Sequence, residues 1–321
     1  MSLALQADHA LSSRLKAAML GMIGSFVLFA AYLAIPPIGI FSGIVAPFPA
    51  AYARLRYGRL TGFIVTLGTT ALTTALFGLF AGLLYLGMCG VTGLFMPELL
   101  ARGHNGSRTV FWSTAANLTV MVAGIFLYGY STGQNLQMLI STEIASSMTQ
   151  AAAIYEKSGI KGEELEILKQ TMSTISALLN RLYPALITTL IAVIAGCNLA
   201  LLKKIADKSG ISINIGDFAS FKNPDLLVWA LIAAGFSTLL PSPLVTTPAL
   251  NILLLASLLY FVQGMAVISV VISRQSIAGI LKVGLYIMLV LQPYLAALIA
   301  GIGLFDLWGD FRTPNNKQEN L

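Results

Sequence analysis

The sequence predicts an all-α membrane protein, a polytopic transmembrane helix bundle of eight or nine helices with an outer amphipathic helical hairpin. The first observation is composition, because 57% of the 321 residues are hydrophobic and only 10% are charged. In a soluble domain about 45–50% of the residues are apolar and about 25% are charged. The second observation is that the charges fall between apolar stretches, many of which approach the roughly 20 residues that cross a bilayer. Too few polar residues remain to form a water-facing surface, so a soluble globular protein is excluded.

Cysteine usage, apolar content and charge distribution argue against a disulfide scaffold, a disordered chain and a nucleic-acid-binding protein. The two cysteines, Cys89 and Cys197, lie inside apolar stretches, which excludes a disulfide scaffold. The high apolar content excludes a disordered chain. The net charge of +6 comes from short basic clusters between apolar stretches, a pattern typical of membrane topology signals. We therefore expect a lipid bilayer around the protein and no nucleic-acid partner.

The apolar stretches define the predicted membrane segments. In chain order they are Ala17–Ile35, Ile40–Ala53, Leu60–Pro97, Val110–Tyr130, Leu182–Leu202, Leu226–Leu240, Ala249–Ser273 and Val283–Phe305. The first is expected to break at Pro36-Pro37. As one helix, Leu60–Pro97 would be about 57 Å long, nearly twice the bilayer core, so it must reverse, most simply at Gly78 to Gly82. Whether Ile40–Ala53 crosses decides between eight and nine helices.

Basic residues on alternate loops predict the orientation. One side receives Arg14, Lys16, Arg54, Arg56, Arg59, Arg102, Arg108, Lys203, Lys204, Lys208, Lys222, Arg274 and Lys282. The other side receives Lys157, Lys161, Lys169, Arg181 and, if the last helix crosses outward, Arg312 and Lys317. The positive-inside rule then places the N-terminus in the cytoplasm. Since Arg14 and Lys16 precede the first apolar stretch and no cleavage pattern follows it, that stretch is expected to be a retained helix.

The loop between Tyr130 and Asn180 has a helical pattern of its own. Apolar residues recur at helical spacing in its first half, at Leu136, Ile140, Ile144, Met148, Ala152 and Tyr155. After Ser158-Gly159 and Gly162 a second set alternates steps of three and four, at Leu165, Leu168, Met172, Ile175 and Leu179. We expect two helices paired as a hairpin on the outer side, either as a cap over the bundle or as a docking site for another protein.

These patterns divide the chain into five parts. They are a cytoplasmic N-terminal segment (1–16), N-terminal membrane helices (17–130), the extracytoplasmic amphipathic hairpin (131–180), C-terminal membrane helices (181–305) and a polar C-terminal tail (306–321).

Chemistry-bearing motifs are absent from the sequence. It contains no His-Glu-x-x-His, no phosphate-binding Walker loop and no Gly-x-Ser-x-Gly. Every charged residue lies at or outside the ends of the predicted membrane segments, whereas ion-coupled carriers usually keep a carboxylate or histidine at mid-depth. We therefore expect no enzyme, no catalytic residue, no metal site, no cofactor and no energy coupling within this chain.

Neutral polar residues on the C-terminal helices are the candidates for a ligand site. Polar side chains at bilayer depth turn toward the bundle interior, where they either hydrogen-bond neighbouring helices or line a pocket. The candidate ligand-binding residues are Tyr260, Gln263, Gln292, Arg181 and Asn180. Pro293 frees a backbone carbonyl beside Gln292. Such a pocket on the outer side suits an uncharged or zwitterionic molecule, with Arg181 able to hold one anionic group.

Three groups of residues carry a resemblance to a known family. They are Pro36-Pro37-Ile38-Gly39 with Pro47-Phe48-Pro49 and Arg54-x-Arg56-x-Gly58; Tyr183-Pro184-Ala185-Leu186 running to Asn198; and Gln263-Gly264-Met265-Ala266-Val267 with Gly303-Leu304-Phe305-Asp306-x-Trp308-x-Asp310-Phe311-Arg312. Over about residues 15 to 313 the chain resembles the YybS-like family of bacterial integral membrane proteins. Its opening arrangement is also similar to the S components of energy-coupling-factor vitamin importers and to the rod-shape protein MreD. The resemblance implies a bacterial cytoplasmic (inner) membrane protein.

The two similarities imply different functions. Similarity to S components implies capture of a small solute, with energy supplied by ATPase and transmembrane partner subunits; Ala30-x-x-x-Ala34 is a possible docking face for them. Similarity to MreD implies a scaffold or assembly partner for cell-envelope synthesis proteins, with no ligand of its own. The absence of mid-membrane charge agrees with both functions, and the amphipathic outer hairpin favours the scaffold. Of the two, we favour the transport-related function.

Overall fold

The computed structural model describes residues 2–35, 39–133, 136–275, 281, 284–285, 288–289, 292–309 and 311–312. These residues form α-helices joined by short turns, and the described part contains no β-strand. The helices are α1 (Ser2–Ala34), α2 (Gly39–Val45), α3 (Phe48–Tyr57), α4 (Arg59–Phe77), α5 (Leu79–Tyr85), α6 (Val91–Ala101), α7 (Gly106–Thr132), α8 (Leu136–Lys157), α9 (Glu163–Lys208), α10 (Leu227–Ser237), α11 (Pro243–Arg274) and α12 (Pro293–Gly309). A π-helical turn, Leu86–Gly90, joins α5 to α6, and a 3₁₀ turn covers Phe218–Ser220.

Within the described residues, 6 helical stretches are long and apolar enough to cross a membrane. They are Ser12–Ala34, Arg59–Phe77, Leu79–Ala101, Gly106–Leu127, Glu163–Lys208 and Pro243–Arg274. Two shorter apolar helices, Leu227–Ser237 and Tyr294–Gly309, complete the set. An all-helical, multi-pass membrane protein is therefore confirmed at this level, while the count of eight or nine crossings stays a prediction.

The chain divides into two compact units. Unit 1 contains residues 1–136 and 190–216, and unit 2 contains residues 137–189 and 217–321. Helix α9 supplies its C-terminal part to unit 1 and its N-terminal part to unit 2. The division into five parts along the chain stays a prediction.

In unit 1 the long apolar stretch reverses where the sequence predicts. Gly78 has φ of 90°, a conformation that L residues rarely adopt, and it separates α4 from α5. The two ends of the stretch meet, because Arg59 at the start of α4 and Arg102 after α6 both bind the Glu98 carboxylate. The predicted reversal and the placement of Arg59 and Arg102 at one end are confirmed.

The stretch Ile40–Ala53 is not a single helix. It forms α2 and α3, which are separated by a turn at Ala46-Pro47. Gly39 lies against Ala31 and Tyr32 near the end of α1, whereas Ala53 clusters with Ala18 in its first half. The two short helices therefore run antiparallel to α1, and the break follows from Pro47, which lacks the N–H that a continuous helix needs.

Helix α9 corrects one expectation. The second hairpin helix and the membrane segment Leu182–Leu202 were expected to be separate, but they form one helix that contains Pro184. Helices α8 and α9 exist and are joined by a turn with Gly159 and Gly162 at positive φ. The stripe residues Ile144 and Met172 are half-buried. Pairing of the two helices as an amphipathic hairpin stays a prediction.

In unit 2, helices α11 and α12 cross in close contact. A Cβ atom at Gly303 would overlap the Tyr260 carbonyl oxygen, and one at Gly264 would overlap the Ile299 carbonyl oxygen. Both positions therefore require glycine at the crossing.

The ends of α11 and α12 show which way α12 runs. Arg274, at the end of α11, donates a hydrogen bond to the Arg312 carbonyl, just beyond the end of α12. The two helices are therefore parallel. The sequence left the side of Arg312 open, and this contact places Arg312 at the same end of the helix pair as Arg274.

Several expected features lie outside the described residues. They are the break at Pro36-Pro37 with Ile38, the start of the last membrane segment at Val283, the basic residues Lys282 and Lys317, and Asp310 of the C-terminal motif.

Candidate functional site

The candidate site of unit 2 forms where α9 contains a proline. Pro184 has no N–H, so the regular hydrogen-bond ladder of α9 is interrupted there. Asn251 of α11 bridges the neighbouring backbone groups: its Oδ1 accepts from the Ala185 N–H at 2.9 Å, and its Nδ2 donates to the Arg181 carbonyl at 2.7 Å. A side-chain amide thus takes the place of one backbone hydrogen bond. This bridge fixes Arg181 against the first turns of α11.

The Arg181 guanidinium is held by hydroxyl groups. Its Nε donates to Thr247 Oγ1 at 3.1 Å, and its Nη2 donates to Thr246 Oγ1 at 2.6 Å. A guanidinium has five N–H donors, so three are not used by these contacts. The described residues place no carboxylate within 4.0 Å of it. The side chain is half-buried and carries a positive charge with no described counter-ion.

A cavity of about 290 Å³ opens beside this guanidinium. Its walls include Arg181, Thr238, Leu240, Pro241, Ser242 and Thr246. Small-molecule pockets are typically about 300–1,000 Å³, so this cavity, which is widely open, is at the lower end of that range. Apart from Arg181 the walls are neutral, a combination of apolar side chains with hydroxyl groups.

The start of α11 adds to the positive potential. Ser242 precedes the helix and Pro243 is its first residue, and both line the cavity. A helix N-terminus carries a partial positive charge and backbone N–H groups without intrahelical partners. Arg181 and the helix terminus therefore favour the same ligand group, an anion such as a carboxylate or phosphate.

The structure does not bring the five predicted residues into one site. Asn180 is adjacent to Arg181 and donates to the Ser176 carbonyl at 3.1 Å. Tyr260 and Gln263 lie on α11 about 20 and 24 Å beyond Thr247, at 1.5 Å per residue. They are therefore remote from the cavity beside Arg181. Whether each of these residues binds a ligand stays a prediction.

Gln292 is the remaining predicted residue. Its side chain is exposed, and it precedes α12, about 20 Å along the chain from Asp306. The position of Gln292 relative to Arg181 stays a prediction, because helical spacing orders residues on one helix and does not position one helix against another.

Gln263 belongs to a buried polar network instead. Its Oε1 accepts from the Asn223 N–H at 2.9 Å, and its Nε2 donates to Asp306 Oδ2 at 3.0 Å. Arg312 binds the same Asp306 oxygen at 2.7 Å and donates to the carbonyls of Ala219 and Phe221. This network joins α11, α12 and the segment before α10.

Asp306 also corrects the expected charge distribution. The last membrane segment was expected to end at Phe305, with all charges outside, but α12 continues to Gly309 and buries the Asp306 side chain. Gln263 and Arg312 both bind its Oδ2 atom, which compensates the charge, whereas Oδ1 is buried without a hydrogen-bond partner among the described residues. The pattern Asp306-x₅-Arg312 is the only local signal of this pair, and the apolar stretch ends just before it.

The two threonines that bind Arg181 are the candidate-site residues that sequence reasoning missed. Thr246 and Thr247 are separated from Arg181 by about 65 positions, and neither belongs to a motif. The one available signal is the Thr-Thr-Pro sequence at the start of an apolar helix. In the described part of the chain, no group of three His, Cys, Asp or Glu side chains is placed to hold a metal ion.

Comparison with known proteins gives one match. The model of a family described as "Predicted membrane protein (DUF2232)" matches residues 25–307. No curated protein and no solved structure matches the chain. The resemblance to the YybS-like family, to S components and to MreD is not tested by these comparisons and stays a prediction.

Proposed function

The chain belongs to the DUF2232 family of predicted membrane proteins, and on that premise we propose that it captures a small solute at the bacterial cytoplasmic membrane. The solute carries one anionic group, which binds Arg181 in the cavity at the start of α11. The observation that carries this proposal is the half-buried Arg181 guanidinium, which borders a cavity and has no described carboxylate partner.

Energetic reasoning favours a ligand over a purely structural role for Arg181. A partly buried charge is costly unless it is paired, and two neutral hydroxyl groups compensate it less well than an anion does. Thr246 and Thr247 orient the planar guanidinium, which leaves donors for a carboxylate that binds with two parallel hydrogen bonds. The cavity of about 290 Å³ is at the lower end of the volumes typical of small-molecule pockets.

The remaining charges favour capture without energy coupling in this chain. Asp306 is bound to Arg312, and Glu98 to three arginines, so each buried carboxylate named here already has cationic partners. A proton relay needs a group whose charge changes during transport. We therefore propose that ATPase and transmembrane subunits supply the energy, as they do for S components.

A thermal-stability screen tests the proposal. The purified protein is incubated with small carboxylates and phosphates, vitamin precursors included, and with neutral amide or alcohol counterparts of the same size. A ligand at 100 times its Kd stabilises the folded protein by about 2.7 kcal/mol. We expect an anionic solute to raise the melting temperature and its neutral counterpart to have little effect.

Two variants make the screen specific. Arg181→Gln is expected to abolish the stabilisation by the anionic solute. Arg108→Gln, the same change at an exposed arginine of α7, is expected to leave it intact. If no solute of the full panel stabilises the wild-type protein, solute capture is refuted and the envelope-assembly scaffold becomes the better proposal.

A further inference from the structure

Unit 1 contains a second cationic site, formed by four side chains that we call the Glu98 cluster: Arg54, Arg59, Glu98 and Arg102. Arg54 Nη2 lies 2.8 Å from Glu98 Oε2. Arg59 donates to both carboxylate oxygens, from Nε at 3.1 Å and from Nη2 at 2.7 Å. Arg102 Nη2 lies 3.1 Å from Glu98 Oε1. Three positive charges thus surround one negative charge, which leaves the cluster with an excess of two.

The four side chains differ in exposure. Arg54 and Glu98 are 9% and 12% exposed, whereas Arg59 and Arg102 are 73% and 67% exposed. Arg54 also lies over the Phe63 ring, 5.5 Å from its centroid. The Arg54–Glu98 pair therefore forms the buried base of the cluster, and the other two arginines form its surface.

Stability does not account for the two exposed arginines. The buried pair already neutralises Glu98 and connects α3 to α6. Exposed ion pairs contribute little, and each added guanidinium is repelled by the others. Since Arg59 and Arg102 both contact Glu98 Oε1, they are held next to each other with unused N–H donors directed away from the carboxylate. An anion between them would relieve the repulsion.

The surface next to the cluster is apolar. Leu60 follows Arg59 directly and is exposed, as are Phe63 and Ile64 on the same helix, and Phe95 is exposed one turn before Glu98. These side chains belong to stretches long and apolar enough to cross a membrane, with the arginines at their ends. We therefore expect the charged donors at the level of lipid headgroups, next to surface that acyl chains would cover.

From this arrangement we propose that the Glu98 cluster binds an anionic phospholipid, with its phosphate between Arg59 and Arg102 and its acyl chains along the apolar side chains of α4 and α6. Guanidinium groups bind phosphate oxygens with paired hydrogen bonds. An anionic lipid is favoured over a zwitterionic one because the excess of two positive charges is not neutralised by a phosphate whose own headgroup carries a cation.

Native mass spectrometry of the full-length protein tests this proposal. The protein in detergent is mixed with phosphatidylglycerol or with phosphatidylcholine of the same acyl chains, and bound lipid is counted. The wild type is expected to retain phosphatidylglycerol preferentially. The double variant Arg59→Gln/Arg102→Gln is expected to bind it about 30-fold more weakly, because each basic residue near an anionic lipid contributes roughly a factor of five.

Three comparisons keep the test decisive. The double variant Lys204→Gln/Lys208→Gln removes the same charge from exposed positions of α9 and is expected to bind phosphatidylglycerol within about twofold of wild type. The single variant Arg59→Gln, which keeps Arg54, Glu98 and Arg102, serves if the first double variant does not fold. Equal retention of the two lipids, an equal loss in both double variants, or displacement of phosphatidylglycerol by millimolar inorganic phosphate would each overturn the proposal.

Discussion

Asp306→Asn is expected to destabilise the protein by about 3 kcal/mol. The Asp306 and Arg312 side chains are 3% and 17% exposed, and their charged groups lie 2.7 Å apart. Removing one partner of a buried ion pair costs about 3–5 kcal/mol, because the other charge stays buried without compensation. The lower end applies here, since Arg312 is partly exposed and keeps its hydrogen bonds to the carbonyls of Ala219 and Phe221.

The assay is an SDS titration of the purified protein in mixed micelles, with the midpoint compared between variants. Glu166→Gln is the control, because the Glu166–Lys169 pair is exposed and longer, at 3.7 Å, so its loss should cost less than about 1 kcal/mol. Adding Arg312→Gln to Asp306→Asn should recover part of the loss by removing the uncompensated charge. If Asp306→Asn has no larger effect than the control, our reasoning on the buried pair is refuted.

Three other predictions follow from the packing and the topology. Asn251→Leu should lower stability by about 1–3 kcal/mol in the same titration, since it leaves the backbone groups at the proline of α9 unsatisfied; an unchanged midpoint would contradict the bridge. Gly303→Val should destabilise the crossing of α11 and α12 by about 1–3 kcal/mol or more, whereas Gly301→Ala, which meets open space, should change little. In intact cells without other cysteines, an impermeant thiol reagent should label Ile160→Cys and spare Tyr57→Cys, and labelling at 57 would reverse the topology.

The sequence predicts most membrane helices because the length of an apolar stretch and the charges at its ends can be read from neighbouring residues alone. The reversal at Gly78 follows from a stretch too long for one crossing, together with arginines at both ends. The continuity of α9 through Pro184 does not follow, since proline locally disfavours a helix interior. The side-chain amide that compensates for the missing N–H belongs to Asn251, 66 positions after Ala185, and no pattern within α9 predicts this contact.

The candidate site is predictable in part for the same reason. Arg181 is conspicuous as a charge beside an apolar stretch, and Gln263 as an amide within one. The distance between them is not visible in the sequence, because Arg181 packs against the start of α11, whereas Gln263 lies in the second half of α11. Asp306 was expected in a solvated tail because the apolar stretch ends before it, yet Arg312 and Gln263 give it a buried environment.

Direct binding to the Arg181 site tests the central claim most closely. Isothermal titration calorimetry would compare wild type, Arg181→Gln and Arg108→Gln with the carboxylate that stabilises the protein most in the thermal screen. Loss of two charge-assisted hydrogen bonds at about 1.5–3 kcal/mol each predicts an affinity at least about 100-fold lower for Arg181→Gln, with Arg108→Gln unchanged. Equal affinity in wild type and Arg181→Gln would contradict the assignment of this cavity as an anion-binding solute site.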